Sequence, residues 1–461
     1  MLLLSIIGYL LLTVLIGYWA SRRVKTAGDF MLAGRSLPIL LSSSALFATW
    51  FGSETVFGAS SEFLKGGLIA VIEDPFGAAL CLILFGLFFA RKLYSMNLLT
   101  LGDYFKLRYG PKAELLSSAL MAPPYVGYIA AQLVAMGLIL NVVSGIDVWV
   151  GVVGSALVVT FYTYIGGMWA ISITDFVQSI IIIAGLLVLA VVLAGKAGGV
   201  GAVFAEVHPE NFRFLPKAEW RDITAYLAAW SVLGLGSIPS QDVFQRSMSS
   251  GSADTAVRSC YYAAGLYLTV AMLPLFISLC TKHLYPDQVT GDTQLTLPTM
   301  VLTHTNLAVQ VLFFGSLLSA IMSTTSSAIL APASIFSENL VRPLSGQRFN
   351  DRQMLWLTRG SVLLFSTLAT IMASVRTNIY ELVGESSVLS MVTLLAPLTF
   401  GIYWRRTTSA GAMLSMVVGF VAWIVFEFLI DIGIHSLVPA TGLSTVALIV
   451  GSLLTPKEPK I

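Results

Sequence analysis

Residues Gly315 to Ser337, GSLLSAIMSTTSSAILAPASIFS, are apolar enough over most of their length to cross a bilayer, yet five consecutive hydroxyl side chains stand at their centre. Hydrocarbon offers Ser323, Thr324, Thr325, Ser326 and Ser327 no water to bond, so each needs a partner inside the protein. One reading is that these hydroxyls return a hydrogen bond to the carbonyl one helical turn earlier. The other is that they hold a small hard cation. At helical spacing Ser323, Ser326 and Ser327 share one face, with Ala320 and Thr324 beside them, and their oxygens can converge on one ion. The residues alone leave both readings open.

The rest of the composition matches the setting that stretch demands. The chain of 461 residues is 56% hydrophobic and only 11% charged, with a mean hydropathy of +0.84. Soluble domains carry about 25% charged residues, so this is an all-α multi-spanning membrane protein. A net charge of +2 gives no reason to expect nucleic acid as a partner. Cys81, Cys260 and Cys280 lie in apolar segments without metal-ligand spacing and read as small core residues. The loops and spans show no phosphate-cradling loop, no nucleophile–base pair and no His/Asp/Glu cluster, so no catalytic residue is expected and the protein is not read as an enzyme. No obligate protein partner is evident either.

Apolar runs of about 20 residues predict about thirteen transmembrane helices. They fall near 2–20, 38–59, 68–90, 113–144, 148–166, 170–195, 222–245, 258–281, 298–338, 355–375, 379–404, 408–430 and 436–454. The fourth and ninth exceed what one crossing needs, which predicts a tilted extension or an extra helix in each. With the N-terminus outside, the cytoplasmic segments hold more than twice as many of the 26 lysines and arginines as the outer ones, Arg246 among them. That asymmetry predicts an outside N-terminus and a cytoplasmic C-terminus. The chain ends soon after its last span, and no separate soluble domain is expected. The first helix is read as retained rather than cleaved, because no basic stretch precedes it and no small-residue cleavage site follows it.

Two spans are broken in corresponding places. The second carries FATWFGSETVFG (Phe47 to Gly58) and the seventh LGLGSIPSQ (Leu233 to Gln241), each interrupting an apolar helix with glycine, polar residues or proline. Irregular backbone at membrane depth is tolerated where it lines a cavity or is buried in protein, and paired breaks five spans apart mark the binding site of inverted-repeat transporters.

YTYIGGMWAISITDFVQ (Tyr162 to Gln178) resembles the signature of the sodium:solute symporter family. LTLGDYFKLRYG (Leu99 to Gly110), QDVFQRSMSS (Gln241 to Ser250), the serine-rich span and PLTFGIYWRRTTSAG (Pro397 to Gly411) agree with it in order, over nearly the whole chain. The resemblance implies the leucine-transporter fold with a five-plus-five inverted repeat, and sodium-driven uptake of a solute by alternating access. Residues 1–461 would form one membrane transport domain, with a peripheral helix at 2–20, repeats at 38–195 and 222–404, and two peripheral helices at 408–454. It would sit in the plasma or inner membrane of the cell, with the lipid bilayer, sodium and a small-molecule solute as its partners and no organic cofactor.

The same resemblance assigns sites. The shared sodium site would use the carbonyls of Ala48, Phe51 and Ala320 with the side chains of Ser323 and Thr324. A second sodium site would use Asp175, Ser323, Ser326 and Ser327, and Thr325 is left to pack. A carboxylate within a span is expensive and expects a cation, although Asp175 is also placed to cap the start of its helix. The solute would meet Trp50, Gly52, Ser53 and Glu54 on the first break, and Glu73 and Asp74 at the start of the third span. Tyr125 and Tyr128 on the fourth span and Ser240 and Gln241 after the second break complete that set. ATWFG and QDVFQRSMSS resemble the choline-transporting branch, and an aromatic face with the intramembrane acids Glu54, Glu73, Asp74 and Glu385 leans toward a cationic or zwitterionic amine, choline-like or an amino acid. That branch carries an aromatic at the position of Ser240 and a Trp at that of Tyr128. A carboxylate or sugar-like solute using free amides at the breaks is the alternative. A membrane solute sensor is the alternative from another class.

Overall fold

A computed structural model describes residues 1–289, 293–346, 349–375, 379–430 and 432–456, apart from the side chains of 380–382 and 384–386. Glu385 and the cations Arg348, Arg376, Lys457 and Lys460, which entered the sequence reading, lie outside the described side chains. Among the described residues nine helices are long and apolar enough to cross a membrane. They bracket short or interrupted helices at the expected breaks, Ile39–Phe47 and 54–66 on one side, Trp220–Gly234 and Gln241–Met248 on the other.

The expected spans 148–166 and 170–195 are two helices that meet at a kink within the 49-residue stretch Val148–Lys196. At 1.5 Å per residue it measures about 74 Å, more than twice the hydrocarbon thickness of about 30 Å, so the arms cannot form one straight crossing. The path changes at Gly167, whose φ of +48° and ψ of −144° leave the helical region. A Cβ there would lie 2.4 Å from the Phe30 carbonyl oxygen, so both the dihedral and the space call for glycine. The two long spans resolve similarly. Residues 113–144 form Pro111–Met121 and Pro124–Ser144, joined at a proline pair, and 298–338 begins with a separate helix, Thr296–His304, before Leu307–Ile335.

The serine-rich helix is the axis of the bundle. Every residue from Ser316 to Ile335 is buried, against Val148–Lys196 on one side and Pro124–Ser144 on another. The first helix, Leu2–Ser21, lies against Val148–Lys196 and turns Leu4, Leu11 and Leu15 outward, as a helix at a lipid boundary does. The last two helices, Ser409–Leu429 and Leu437–Leu454, pack on each other at the opposite edge.

The conserved-order motifs explain how the halves are joined. From LTLGDYFKLRYG, Tyr104 and Tyr109 donate to the carbonyls of Leu398 (3.1 Å) and Pro397 (2.7 Å), and Arg108 donates to those of Gly401 and Thr407. Its capping box, Thr100 with Asp103, continues into Asn339, which donates to Asp103 and to Glu114 at 2.9 Å each. A single bridge ties Leu37, just ahead of the first broken helix, to Ser249 and Gly251, just after the second. Arg359 donates to the Ile165 carbonyl at 3.1 Å and lies over the rings of Phe30, Tyr164 and Trp356.

Candidate functional site

Ile39–Phe47 ends where polar residues and a glycine replace the apolar run. Ala48 N–H still reaches the Ser44 carbonyl (2.9 Å), but Thr49 N–H shortens to Leu46 (3.2 Å) and Gly52 N–H closes on Trp50 (2.8 Å) before the helix resumes. The turn at Gly52 is packed tightly by polar atoms from other helices. A Cβ on it would stand 2.8 Å from Gln132 Oε1, 2.8 Å from Thr324 Oγ1 and 3.0 Å from Glu54 Oε2. Glycine therefore lets oxygens from three places in the chain converge on the break.

The serine-rich helix divides its hydroxyls there. Thr324 Oγ1 leaves its own helix and donates to the Ala48 carbonyl at 3.2 Å, and Ser323 Oγ donates to Asp175 Oδ1. The others turn back: Thr325 to Ile321, Ser326 to Ser323 (2.9 Å) and Ser327 to Thr324 (2.9 Å). Three hydroxyls of the run thus bond back within their own helix, and two reach other parts of the chain. Phe51 and Ala320 are fully buried, the Phe51 ring tilted against Phe47 and edge-to-face with Tyr267.

The acids expected at the solute site are largely occupied. Glu54 accepts from Tyr128 Oη through Oε1 and from Gln132 Nε2 through Oε2, at 2.7 Å each. Gln132 Oε1 in turn accepts from Ser53 N–H at 3.1 Å. Asp74 accepts from Tyr267 Oη (2.7 Å), which meets Thr55, itself bonded to the Trp50 carbonyl. Asp74 Oδ2 has no partner among the described residues, and Glu73 is half-buried beside it. Gln132 escaped the sequence reading, although an amide in the apolar run YIAAQLVAM was its signal.

A cavity of about 30 Å³ opens between the two breaks, close to the volume one liquid water occupies. Its lining includes Trp50 from the first break, Tyr125 and Tyr128 from Pro124–Ser144, Gly236, Ser237 and Ser240 from the second break, and Asp242 in the first turn of Gln241–Met248. Gly52, Ser53, Glu54, Glu73, Asp74 and Gln241 are not in its lining. Gln241 turns away, its Oε1 accepting from Leu101 N–H at 2.8 Å. Asp242 was also missed, because an acid in the first turn of a helix reads as a cap.

Asp175 is wholly buried and holds two partners, Ser323 on Oδ1 and Arg246 Nη2 on Oδ2 at 3.1 Å. Arg246 is 1% exposed. Counted among the cations of the expected cytoplasmic segments, it is buried here, and its charge is neutralised by Asp175 inside the bundle. Neighbouring Gln245 is likewise internal, donating to the Met31 carbonyl (2.6 Å) and to Ser334 (3.1 Å). Arg246 Nε and Nη1 have no partner among the described residues.

The chain can now be compared with known proteins. The human high affinity choline transporter 1 is 29% identical over 90% of this chain and 75% of its own length. The osmoregulated proline transporter OpuE of Bacillus subtilis (strain 168) is 25% identical over 98% of this chain and 94% of its own. A solved sodium-coupled sialic acid symporter, in a substrate-bound outward-open state, superposes with a TM-score of 0.90 over 100% of this chain and 98% of that one, at 19% identity. The fold is thus the leucine-transporter fold that the family resemblance implied. With the Sodium:solute symporter family model matching residues 30–419, across both breaks and the serine-rich axis, the chain belongs to that family.

Proposed function

We propose that the protein is a sodium-coupled symporter that imports a small organic amine by alternating access, and that sodium binds where the first break meets the serine-rich helix. One observation carries this reading: the Thr324 hydroxyl reaches the Ala48 carbonyl across 276 intervening positions, at a turn where Gly52 keeps the space around it clear of carbon. Sodium is bound by neutral and anionic oxygens, and an unwound helix supplies them. Ala48, Phe51 and Ala320 would contribute carbonyls, Ser323 and Thr324 hydroxyls. Asp175 with Ser323, Ser326 and Ser327 forms a second cation site when Arg246 withdraws, the guanidinium holding the carboxylate meanwhile.

The repeats run over 38–195 and 222–404, flanked by helices at 2–20 and 408–454, in a cell membrane with the N-terminus outside and the C-terminus cytoplasmic. The relatives are transporters named for choline and proline, which supports an amine-bearing solute. A cavity of about 30 Å³ is too small for either, so solute entry requires the two broken segments to part. A carboxylate-only solute is less well served. The amides of the second break are already bonded, Gly236 to Ser231, Ser237 to Leu233 and Ile238 to Leu235.

The test is uptake into sealed vesicles containing the purified protein. An inward sodium gradient should drive accumulation of an amine from a panel that also holds sugars and carboxylates, and a potassium gradient should not. Failure of sodium to drive any solute of the panel rules symport out.

A further inference from the structure

The geometry points to Asp242 as the residue that selects the solute, and to a protonated amine bearing N–H groups, rather than a quaternary ammonium, as the class it selects; this rests on the amine symport proposed above. Tyr125 Oη accepts from the amides of Gln241 (3.0 Å) and Asp242 (3.2 Å), so its own proton goes to Asp242 Oδ1, 3.0 Å away. Val243 N–H adds a second donor to the same oxygen at 2.9 Å. The carboxyl group is thereby locked in orientation, and Oδ2 has no hydrogen-bond partner among the described residues. Asp242 is 4% exposed and lines the cavity between the breaks.

Of the acids named from the sequence, Glu54 and Asp74 do not do this. Both oxygens of Glu54 accept from Tyr128 and Gln132, and Asp74 is tied to Tyr267, outside the lining. Among the described lining residues Asp242 is the one carboxylate, and none is a Lys, Arg or His. A buried acceptor facing a cavity without a cation calls for a positive solute.

The walls decide which kind. A trimethylammonium needs aromatic faces around it, because it cannot donate a hydrogen bond. Here three aromatic residues, Trp50, Tyr125 and Tyr128, share the lining with small and polar ones, with Ser237 and Ser387 hydroxyls 3.3 Å apart and Ser240 bonded to the Ser237 carbonyl. An N–H-bearing ammonium satisfies Asp242 and keeps one face on Trp50. A quaternary head leaves the carboxylate without a donor, and sites built to bond an N–H discriminate strongly against analogues that lack it.

The experiment is a binding series on the full-length protein in saturating sodium, using ethanolamine, its N-methyl and N,N-dimethyl derivatives, and choline, followed by thermal stabilisation and calorimetry. Affinity should fall as N–H is replaced by methyl, with choline at least tenfold weaker than ethanolamine. Asp242→Asn keeps a side-chain oxygen that can accept from Tyr125 Oη and Val243 N–H, so the ligand-free melting temperature should stay close to that of the parent. That variant should lose at least tenfold in ethanolamine affinity and less than threefold for choline. Choline binding tightest, equal losses for all four amines in the variant, or no binding by any of them overturns the assignment. Sodium-driven uptake of a sugar or of a carboxylate without an amine group, with no amine bound, would sink this inference while leaving symport standing, whereas loss of all sodium-driven uptake would remove both.

Discussion

Substituting Gly52 by alanine tests the sodium site without touching a ligand. The added Cβ would stand 2.8 Å from both Thr324 Oγ1 and Gln132 Oε1, closer than carbon and oxygen pack, so both oxygens must retreat. Neither is free to do so at no cost: Thr324 gives up a 3.2 Å bond to the Ala48 carbonyl, and Gln132 a 3.1 Å bond from Ser53 N–H. At about 0.5–1.5 kcal/mol per hydrogen bond the two losses total roughly 1–3 kcal/mol. If that energy appears in sodium binding, the half-saturating sodium concentration rises roughly 5- to 150-fold. The assay is thermal unfolding of the purified protein over a sodium titration, with potassium holding the ionic strength constant, because a bound ion raises the melting temperature by mass action. Gly265→Ala is the control: nothing lies within 4 Å of its Cβ position in the helix Ala253–Val270, and alanine there should add about 0.5–1 kcal/mol of stability. An unchanged sodium midpoint in Gly52→Ala, with Gly265→Ala behaving as expected, would refute the placement of sodium beside Thr324.

Two further sets of variants separate the two proposed cation sites. Thr324→Ala and Ser323→Ala each remove one of about five oxygens and should weaken sodium binding by about 1–3 kcal/mol, while Thr325→Ala, whose hydroxyl returns to Ile321, should leave the sodium midpoint unchanged; equal effects in all three would dissolve the distinction. Arg246→Gln leaves Asp175 buried without its cation and should cost about 3–5 kcal/mol in potassium medium, with much of the loss restored by sodium. The same loss in both media would mean that Asp175 serves the ion pair alone. Asp175→Asn should lower the measured sodium:solute ratio, and an unaltered ratio removes the second site.

Much of this protein was legible in order along the chain. The apolar runs, the breaks at Phe47–Gly58 and Leu233–Gln241 and the hydroxyl cluster of Ser323–Ser327 are local features, and each constrains a backbone that must satisfy its own polar groups away from water. The boundary between the expected spans 148–166 and 170–195 is local as well, since the positive φ at Gly167 ends one helix and redirects the chain into the next.

Hydropathy and spacing therefore determined that the chain is a bundle of membrane helices interrupted at two matched places, and that its central helix carries hydroxyls in need of partners. They could not determine the partners. Ser323 finds Asp175 148 positions away, Gln132 finds Ser53 79 positions away and Tyr125 finds Asp242 117 positions away. Only the tertiary packing decided that Arg246 neutralises Asp175 instead of facing water, that Glu54 is bonded by Tyr128 and Gln132, and that Asp242 is the carboxylate at the cavity. The reason is that helical periodicity specifies which face of a helix a side chain occupies, whereas the rotation and depth at which that face meets another helix are set by the summed packing of the whole bundle.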